Sequence, residues 1–299
     1  MDRKDFIKQT TSFVALLSVT GIVPVLGHTE QKNIDMGQSK ICATCGTQYP
    51  PSDSIEICEI CKDDRQYIPA SGQAWTSHES LLGSNSVRIG QINENVYELE
   101  ITPRFAIGQR AFLIISKNGN ILWDCFPLLN APTIEFIKAK GGLRGIAFSH
   151  PHYYSNMKDW AKTFDCPIYI HKSDEKWIME RGEKLYLWEG EELPLWDDIR
   201  MINIGGHFPG SSILHVPFLS KEGTIFVGDT VYVSPSMKHM AVMFSYPNRI
   251  PLPKEEVRKV KKRFDKVPFD KLFGFYSYQN VTQNPKSIME AFMNRYLGE

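Results

Sequence analysis

The sequence predicts an α/β sandwich preceded by a small four-cysteine module. Three observations carry that expectation. From Val87 onward, short apolar or alternating runs follow one another quickly and are interleaved with helical stretches. Two histidines, His150 and His152, fall where one such run hands over to a helix. Ahead of all this, Cys42, Cys45, Cys58 and Cys61 form two CxxC pairs.

The chain has 299 residues, 42% of them hydrophobic and 23% charged, which suits one large core plus an appendage. With 34 basic and 34 acidic side chains its formal net charge is zero, so no overall charge draws it to nucleic acid or to an anionic membrane. Residues 1–8 are a charged opening, and residues 9–27 carry no charge and end in the small residues Val25 and Gly27. That layout is a signal peptide's, and Arg3-Lys4-Asp5-Phe6-Ile7-Lys8 resembles a twin-arginine export signal with one arginine replaced by lysine. We therefore expect residues 1–27 to direct export to the periplasm or beyond. A membrane anchor or a cytoplasmic protein is the alternative, and Gly21 and Pro24 argue against a full span.

The two CxxC knuckles come next, spanned by a module at residues 38–66. Each presents two sulfurs from one tight turn, so four thiolates can converge on a single ion. The pattern resembles a zinc ribbon and equally a rubredoxin-type iron module; thiolates suit Zn²⁺ and Fe alike. Two disulfides are the third option in an oxidising compartment. So short a segment cannot bury enough apolar surface to fold alone, so the ion is expected to be structural. Residues 67–86 form a turn-rich linker arm whose apolar anchor is Trp75, with His78 an exposed side chain.

The main domain is expected over residues 87–299. Val96–Ile101, Arg110–Ile115 and Ile121–Asp124 are strands, with Lys117-Asn118-Gly119-Asn120 a hairpin turn of type I′. Residues 132–140 form a helix that Gly141-Gly142 ends. Residues 143–148 are a buried strand stopping at Ser149. The helix from Ser155 through Phe164, with Ser155 as its cap, packs through Met157, Trp160, Ala161 and Phe164. Between them, Pro151 bars helical backbone, so His150 and His152 project from an extended turn toward one point, an arrangement suited to a metal ion.

The strand over residues 166–171 follows; His171 at its end is a candidate site residue or a local hydrogen-bonding partner. Cys125 and Cys166 fit no ligand spacing and are expected to be buried free thiols, and His215 to be structural. Residues 231–253, rich in Pro, Met and aromatics, form a long loop that lines a substrate or packs on the core. The basic helix that follows, residues 254–266, is a solvated face.

Three motifs occur in a fixed order: His150-Pro151-His152, then Gly205-Gly206-His207-Phe208-Pro209-Gly210-Ser211, then a strand ending in Gly228-Asp229. From residue 85 to the C-terminus the set resembles the metallo-β-lactamase superfamily. The resemblance implies a four-layer αββα sandwich and a first metal site with His150, His152 and His207 as nitrogen ligands and Asp229 as the neighbouring carboxylate. It also places Asp124 in support of a ligand histidine. Where the family has an aspartate and a histidine for a second metal, this chain has Tyr154 and Ser155, and Gly274-Phe275-Tyr276-Ser277 stands where its last histidine would be. One ion, zinc, is therefore expected.

The activity that follows is metal-assisted hydrolysis of a small-molecule ester, lactone, thioester or related bond. Asp229 would coordinate or orient water, and Tyr153 or Tyr154 would donate to the developing oxyanion, at least one of them being merely packed. Two alternatives stand beside it: a redox protein pairing a rubredoxin-like iron site with this fold, and a non-catalytic, metal-stabilised binding protein.

Overall fold

The computed structural model describes residues 39–52 and 54–299, so the expected export segment at residues 1–27 lies outside the described residues. Two sheets stack face to face. In spatial order the first runs Leu185–Trp188, Ile168–His171, Gly145–Ala147, Ile121–Trp123, Arg110–Ile114, Val96–Thr102 and Ser86–Asn93. Its first four strands are mutually parallel and the rest antiparallel. The second runs Glu192–Pro194, Arg200–Asn203, Ser212–Val216, Thr224–Phe226, Lys271–Phe273 and Asn280–Val281.

Period-two alternation assigns each strand's side chains to a layer. Phe112, Ile114, Ile121 and Trp123 meet Met201, Leu214, Phe226 and Phe273 between the sheets. There Phe112 lies edge-on to Phe226 at 4.8 Å, a geometry worth about 0.5–1.5 kcal/mol beyond area burial. The intervening residues face outward. Leu113, Leu122 and Ile146 receive the helices Ala131–Ala139 and Met157–Phe164. Ile202, Ile213, Ile225 and Leu272 receive Lys254–Phe264 and Pro285–Leu297. The result is the αββα order that the family resemblance implied.

Buried Arg110 stitches the sheets at one end. Its guanidinium pairs with Glu98 at 2.6 Å and donates to the Gly274 carbonyl and to Asn280. Burial pulls it down to about 10, which leaves it charged at neutral pH. Its backbone N–H also donates to the Phe275 carbonyl, which pins the turn where the family's last histidine was sought.

Several local expectations are corrected. Pro151–Tyr153 is a 3₁₀ turn, because proline is well suited to a first helical position where no N–H is needed. His150 just before it is extended, at φ −171° and ψ 172°. Ser155 does not cap its helix: it sits at φ 42°, and the helix begins at Met157 after Asn156. In the turn over residues 115–120 positive φ occurs at Gly119 and not at Asn118, so it is not type I′; Asp197 holds Asn118 through its backbone N–H and side chain. The helix Ala131–Ala139 does end at Gly141-Gly142, both at positive φ.

The segment over residues 67–86 carries structure of its own. Trp75–Thr76 pairs with Lys40–Cys42, which also pairs with Gln48–Tyr49, and His78–Ser84 is a helix. His78 is 8% exposed, and its Nε2 meets the Leu129 carbonyl at 3.0 Å. It is a buried docking side chain, not an exposed one. Residues 231–253 likewise hold two short hairpins, Tyr232–Val233 with Met240–Ala241 and Met243–Ser245 with Ile250–Pro251.

Candidate metal centre

Among the described residues, two groups bring ligand atoms within 4.8 Å of one another: Cys42, Cys45, Cys58 and Cys61, and His150, His152, His207 and Asp229. Each fits an ion on its own distances. Sγ atoms lie 3.5 Å apart at Cys45 and Cys58 and 3.7 Å apart at Cys42 and Cys61. A tetrahedral site with metal–sulfur bonds of about 2.3 Å has sulfur–sulfur edges of roughly 3.8 Å, whereas a disulfide would be near 2.05 Å. All six described cysteines are free thiols, Cys125 and Cys166 among them. Hydrogen bonds led by Cys45 pull Cys42 well below its usual value, while burial pushes Cys45 up. Tyr49 Oη donates to Cys58 Sγ at 3.3 Å and Gln73 Nε2 to Cys42 Sγ at 3.2 Å.

The histidine group forms at strand ends of both sheets. Asp229 Oδ2 lies 3.4 Å from His150 Nε2, 3.7 Å from His152 Nδ1 and 3.8 Å from His207 Nε2, and the last two nitrogens are 3.3 Å apart. Nitrogen and oxygen ligands at about 2.0–2.1 Å from a tetrahedral ion would have edges of roughly 3.4 Å. His150 Nε2 is buried with no hydrogen-bond partner, an orphan that an ion would satisfy. Burial pushes His152 down to about 4 and His207 also well down, so both are the neutral imidazoles a metal needs. Burial opposes ionisation of Asp229, but the facing His150, His152 and His207 hold its carboxyl well below the usual range.

Hydrogen bonds set the tautomers. Ser149 Oγ lies 2.9 Å from both Asp124 carboxyl oxygens and 2.8 Å from His150 Nδ1; with Asp124 ionised, its one proton goes to that carboxylate and it accepts from His150 Nδ1–H. That leaves His150 Nε2 as the free lone pair. Likewise His207 Nδ1 donates to the Met243 carbonyl at 3.2 Å, which frees its Nε2. Asp124 thus acts on His150 through Ser149, whose backbone N–H it also accepts; burial pushes its carboxyl up to about 8. The glycine of the Gly228-Asp229 pair is required here: it sits at φ 51°, and a Cβ would lie 2.3 Å from Ser149 Oγ. Gly210 has a similar reason, since its N–H donates to buried Asp174 at 2.8 Å and a Cβ would meet that carboxylate.

Ser149→Ala would leave His150 Nδ1–H and Asp124 without their partner. Outer hydrogen bonds of this kind are worth about 10–100-fold in metal affinity, so that loss is expected at the histidine group. Competition with a metallochromic chelator measures it.

The remaining candidates fall elsewhere. Tyr153 is fully buried and its hydroxyl donates to Asp229 Oδ1, so it orients the carboxylate and is not free to meet an oxyanion. Tyr154 packs edge-on against Phe148 at 5.3 Å in the core. His171 is not part of the group: its Nδ1 accepts from Ser173 N–H, its Nε2 meets the Gly190 carbonyl at 3.2 Å, and its ring lies against Trp188. In place of second-metal ligands the structure has aromatics. Phe275 contacts Tyr153, Tyr232 and Tyr246, and Tyr246 lies 5.5 Å from His207.

Sequence reasoning missed three residues that shape this site. Ser149 is visible only as the end of a strand, and Asp174 carries no sequence signal. Arg65, whose Nε donates to the His207 carbonyl at 2.6 Å, gave no signal, because the two are 142 positions apart.

An αββα sandwich with three imidazoles and a carboxylate gathered at its strand ends defines a class of metal-binding protein. The sequence pattern of the metallo-beta-lactamase superfamily matches residues 106–274, and the chain belongs to that superfamily. It is 36% identical over 261 residues to the uncharacterized protein YmaE of Bacillus subtilis strain 168, covering 86% of this chain and 95% of that one. Solved structures similar in fold include VMB-1 (15% identity, TM-score 0.54, 72% of this chain and 99% of that one). The DIM-1 metallo-beta-lactamase exposed to ceftazidime is similar at 14% identity and TM-score 0.53, over 71% of this chain and 98% of that one. The FIM-1 metallo-beta-lactamase of Pseudomonas aeruginosa in its mono-zinc form aligns at 14% identity and TM-score 0.50, over 71% and 94%.

Proposed function

We propose that the protein is a hydrolase working with one zinc ion at His150, His152, His207 and Asp229, on an ester, lactone, thioester or related bond of a small molecule. The observation that carries this reading is the group itself: Nε2, Nδ1 and Nε2 of three imidazoles converge on one ionised carboxylate. That donor set suits zinc. When bound, the ion supplies Lewis acidity, polarising an acceptor oxygen and lowering the pKa of water.

The chain's own groups do the rest. Asp229 stays ionised, so its Oδ2 is an acceptor that orients an attacking water, while Tyr153 on Oδ1 fixes the carboxylate's angle. Tyr232, Tyr246 and Phe275 offer an apolar flank for a substrate's acyl portion. A single ion is supported by Tyr154, committed to the core, and by Phe275-Tyr276 in place of a further histidine. The FIM-1 likeness offers a mono-zinc example on this fold. A structural zinc at the four cysteines completes the reading.

One observation favours a non-catalytic role. The ligands are 1%, 1%, 2% and 6% exposed, and four protein ligands can close a tetrahedral ion. The redox reading is disfavoured by the same Tyr154 packing, which leaves a second iron without its acidic ligand. Zinc-loaded protein is therefore to be assayed on nitrophenyl esters, lactones and thioesters. Turnover that a chelator abolishes and zinc restores supports hydrolysis; no turnover anywhere in the panel leaves the binding reading, and a red iron chromophore at the cysteines the redox one.

Among the described residues no helix is long and apolar enough to cross a membrane. The charged opening and uncharged stretch of residues 1–27 support export, with removal of that segment expected. Intact-mass measurement of protein from its native host tests this, and a chain retaining Met1 would count against it.

A further inference from the structure

We infer that the four-cysteine module positions His207 through Arg65, so that an ion held by the cysteines tightens binding at the histidine group. The inference rests on the reading that both groups hold metal.

The second knuckle, Cys58 and Cys61, runs through the short helix Glu59–Lys62 directly into residues 63–66. That segment grips His207 at two points. Arg65 Nε donates to the His207 carbonyl at 2.6 Å, while Nη1 of the same guanidinium donates to both Asp63 oxygens, at 2.9 and 3.1 Å. The guanidinium lies 4.4 Å from the Phe208 ring and 4.2 Å from that of Phe244, so its plane is held between the residue after His207 and the loop beyond Met243.

The second grip is on the ring. The Met243 carbonyl that sets the His207 tautomer belongs to a hairpin pinned by the same segment. The Arg65 carbonyl accepts from Ser245 Oγ at 3.1 Å, and the Asp64 and Gln66 carbonyls accept from Asn248 Nδ2 at 2.9 and 2.8 Å. A third contact bypasses Arg65: Trp177 packs against the cysteine cluster and lies edge-on to Phe208 at 5.7 Å.

A helix of four residues has no stability of its own. Residues 59–62 are held by the convergence of Cys58 and Cys61 on the other two cysteines, beside buried Ile60 and the Glu59 N–H that donates to Tyr49 Oη at 2.8 Å. An ion there fixes the position from which Arg65 reaches His207. Lysine could not replace Arg65, having neither a planar fork nor a donor at the Nε position. Arg65 is thus a positioning residue: it touches no reacting atom.

The test uses the full chain loaded with Co²⁺, whose sulfur-to-metal charge-transfer band reports the cysteines and whose visible d–d bands, by difference, report the histidine group. Dissociation constants come from chelator competition. Arg65→Met is expected to weaken the histidine group about tenfold or more and to shift its d–d band, with the thiolate band unchanged. Cys58→Ser should weaken the histidine group by at least as much, since it also loosens the backbone grip of residues 64–66 and the Trp177 contact, and the double variant should match Cys58→Ser alone. Arg65→Lys should resemble Arg65→Met, and exposed Lys62→Ala should match wild type. If Cys58→Ser does not fold, Arg65→Met alone decides. A folded Arg65→Met protein with wild-type affinity and an unshifted d–d band overturns the inference. Wild-type protein lacking any His207-dependent metal overturns the metal reading first and this inference with it, a result visible before any variant is made.

Discussion

His207→Ala is expected to empty the histidine group of metal and to lower metal-dependent turnover by roughly 10³-fold or more, the rate equivalent of several kcal/mol of lost Lewis-acid stabilisation. The side chain is 2% exposed and makes one hydrogen bond beyond the group, to the Met243 carbonyl, so the fold should survive its removal. Acid should mimic the variant. Folding, by burial, holds His152 down at about 4 and His207 also well down, whereas the unfolded chain takes up protons on imidazole below about 6.5. The depressed folded values mean that stability is fully present above about 6.5 and falls as pH drops from there through 4, as protons compete with metal for the same nitrogens. Metal content and turnover followed together across that window check both statements. Turnover that survives in His207→Ala would place the chemistry elsewhere.

Cys58→Ser should have the largest effect on stability. The cysteines are the centre of a small cluster in which only Tyr49 and Ile60 are other buried apolar residues, with Ile55, Ile68, Trp75, Ile107, Trp177 and Met179 partly buried against it, a core too small to order so short a segment unaided. A structural zinc supplies folding free energy directly, so losing one thiolate ligand is expected to cost several kcal/mol in this region. Limited proteolysis should then cut between Cys42 and Trp75 while the sandwich stays resistant. Chelator-treated wild-type protein should be cut at the same places. A module equally resistant with and without metal would mean that its contacts alone fold it.

The parts of the site that were legible in the sequence are those made by short-range patterns. His150 and His152 share a turn, Gly205 through Ser211 is one loop, and each cysteine pair is one knuckle, so spacing alone predicts what each presents. Strand layers were legible for the same reason, since alternation in Phe112-Leu113-Ile114 specifies which face meets which layer. What failed to show depends on distant chain. Arg65 reaches His207 across 142 positions, and no local pattern marks it. The sequence offers Tyr153 or Tyr154 as an oxyanion donor because a phenol near a cation is a competent donor, yet the Tyr153 hydroxyl is committed to Asp229, 76 positions on. His78 looked exposed because polar residues surround it; its partner, the Leu129 backbone, is 51 residues away. Pro151 is a different case: proline bars the interior of a helix but is well suited to its first turn, and it opens the 3₁₀ turn Pro151–Tyr153.

The most direct test of the account is metal content per chain at saturating zinc in purified wild-type, His207→Ala and Cys58→Ser proteins. The account predicts about two ions in wild type, with His207→Ala retaining only the thiolate-bound ion and Cys58→Ser only the one at the histidine group, held more weakly. Wild-type content that His207→Ala leaves unchanged would contradict the claim that His150, His152, His207 and Asp229 hold a metal.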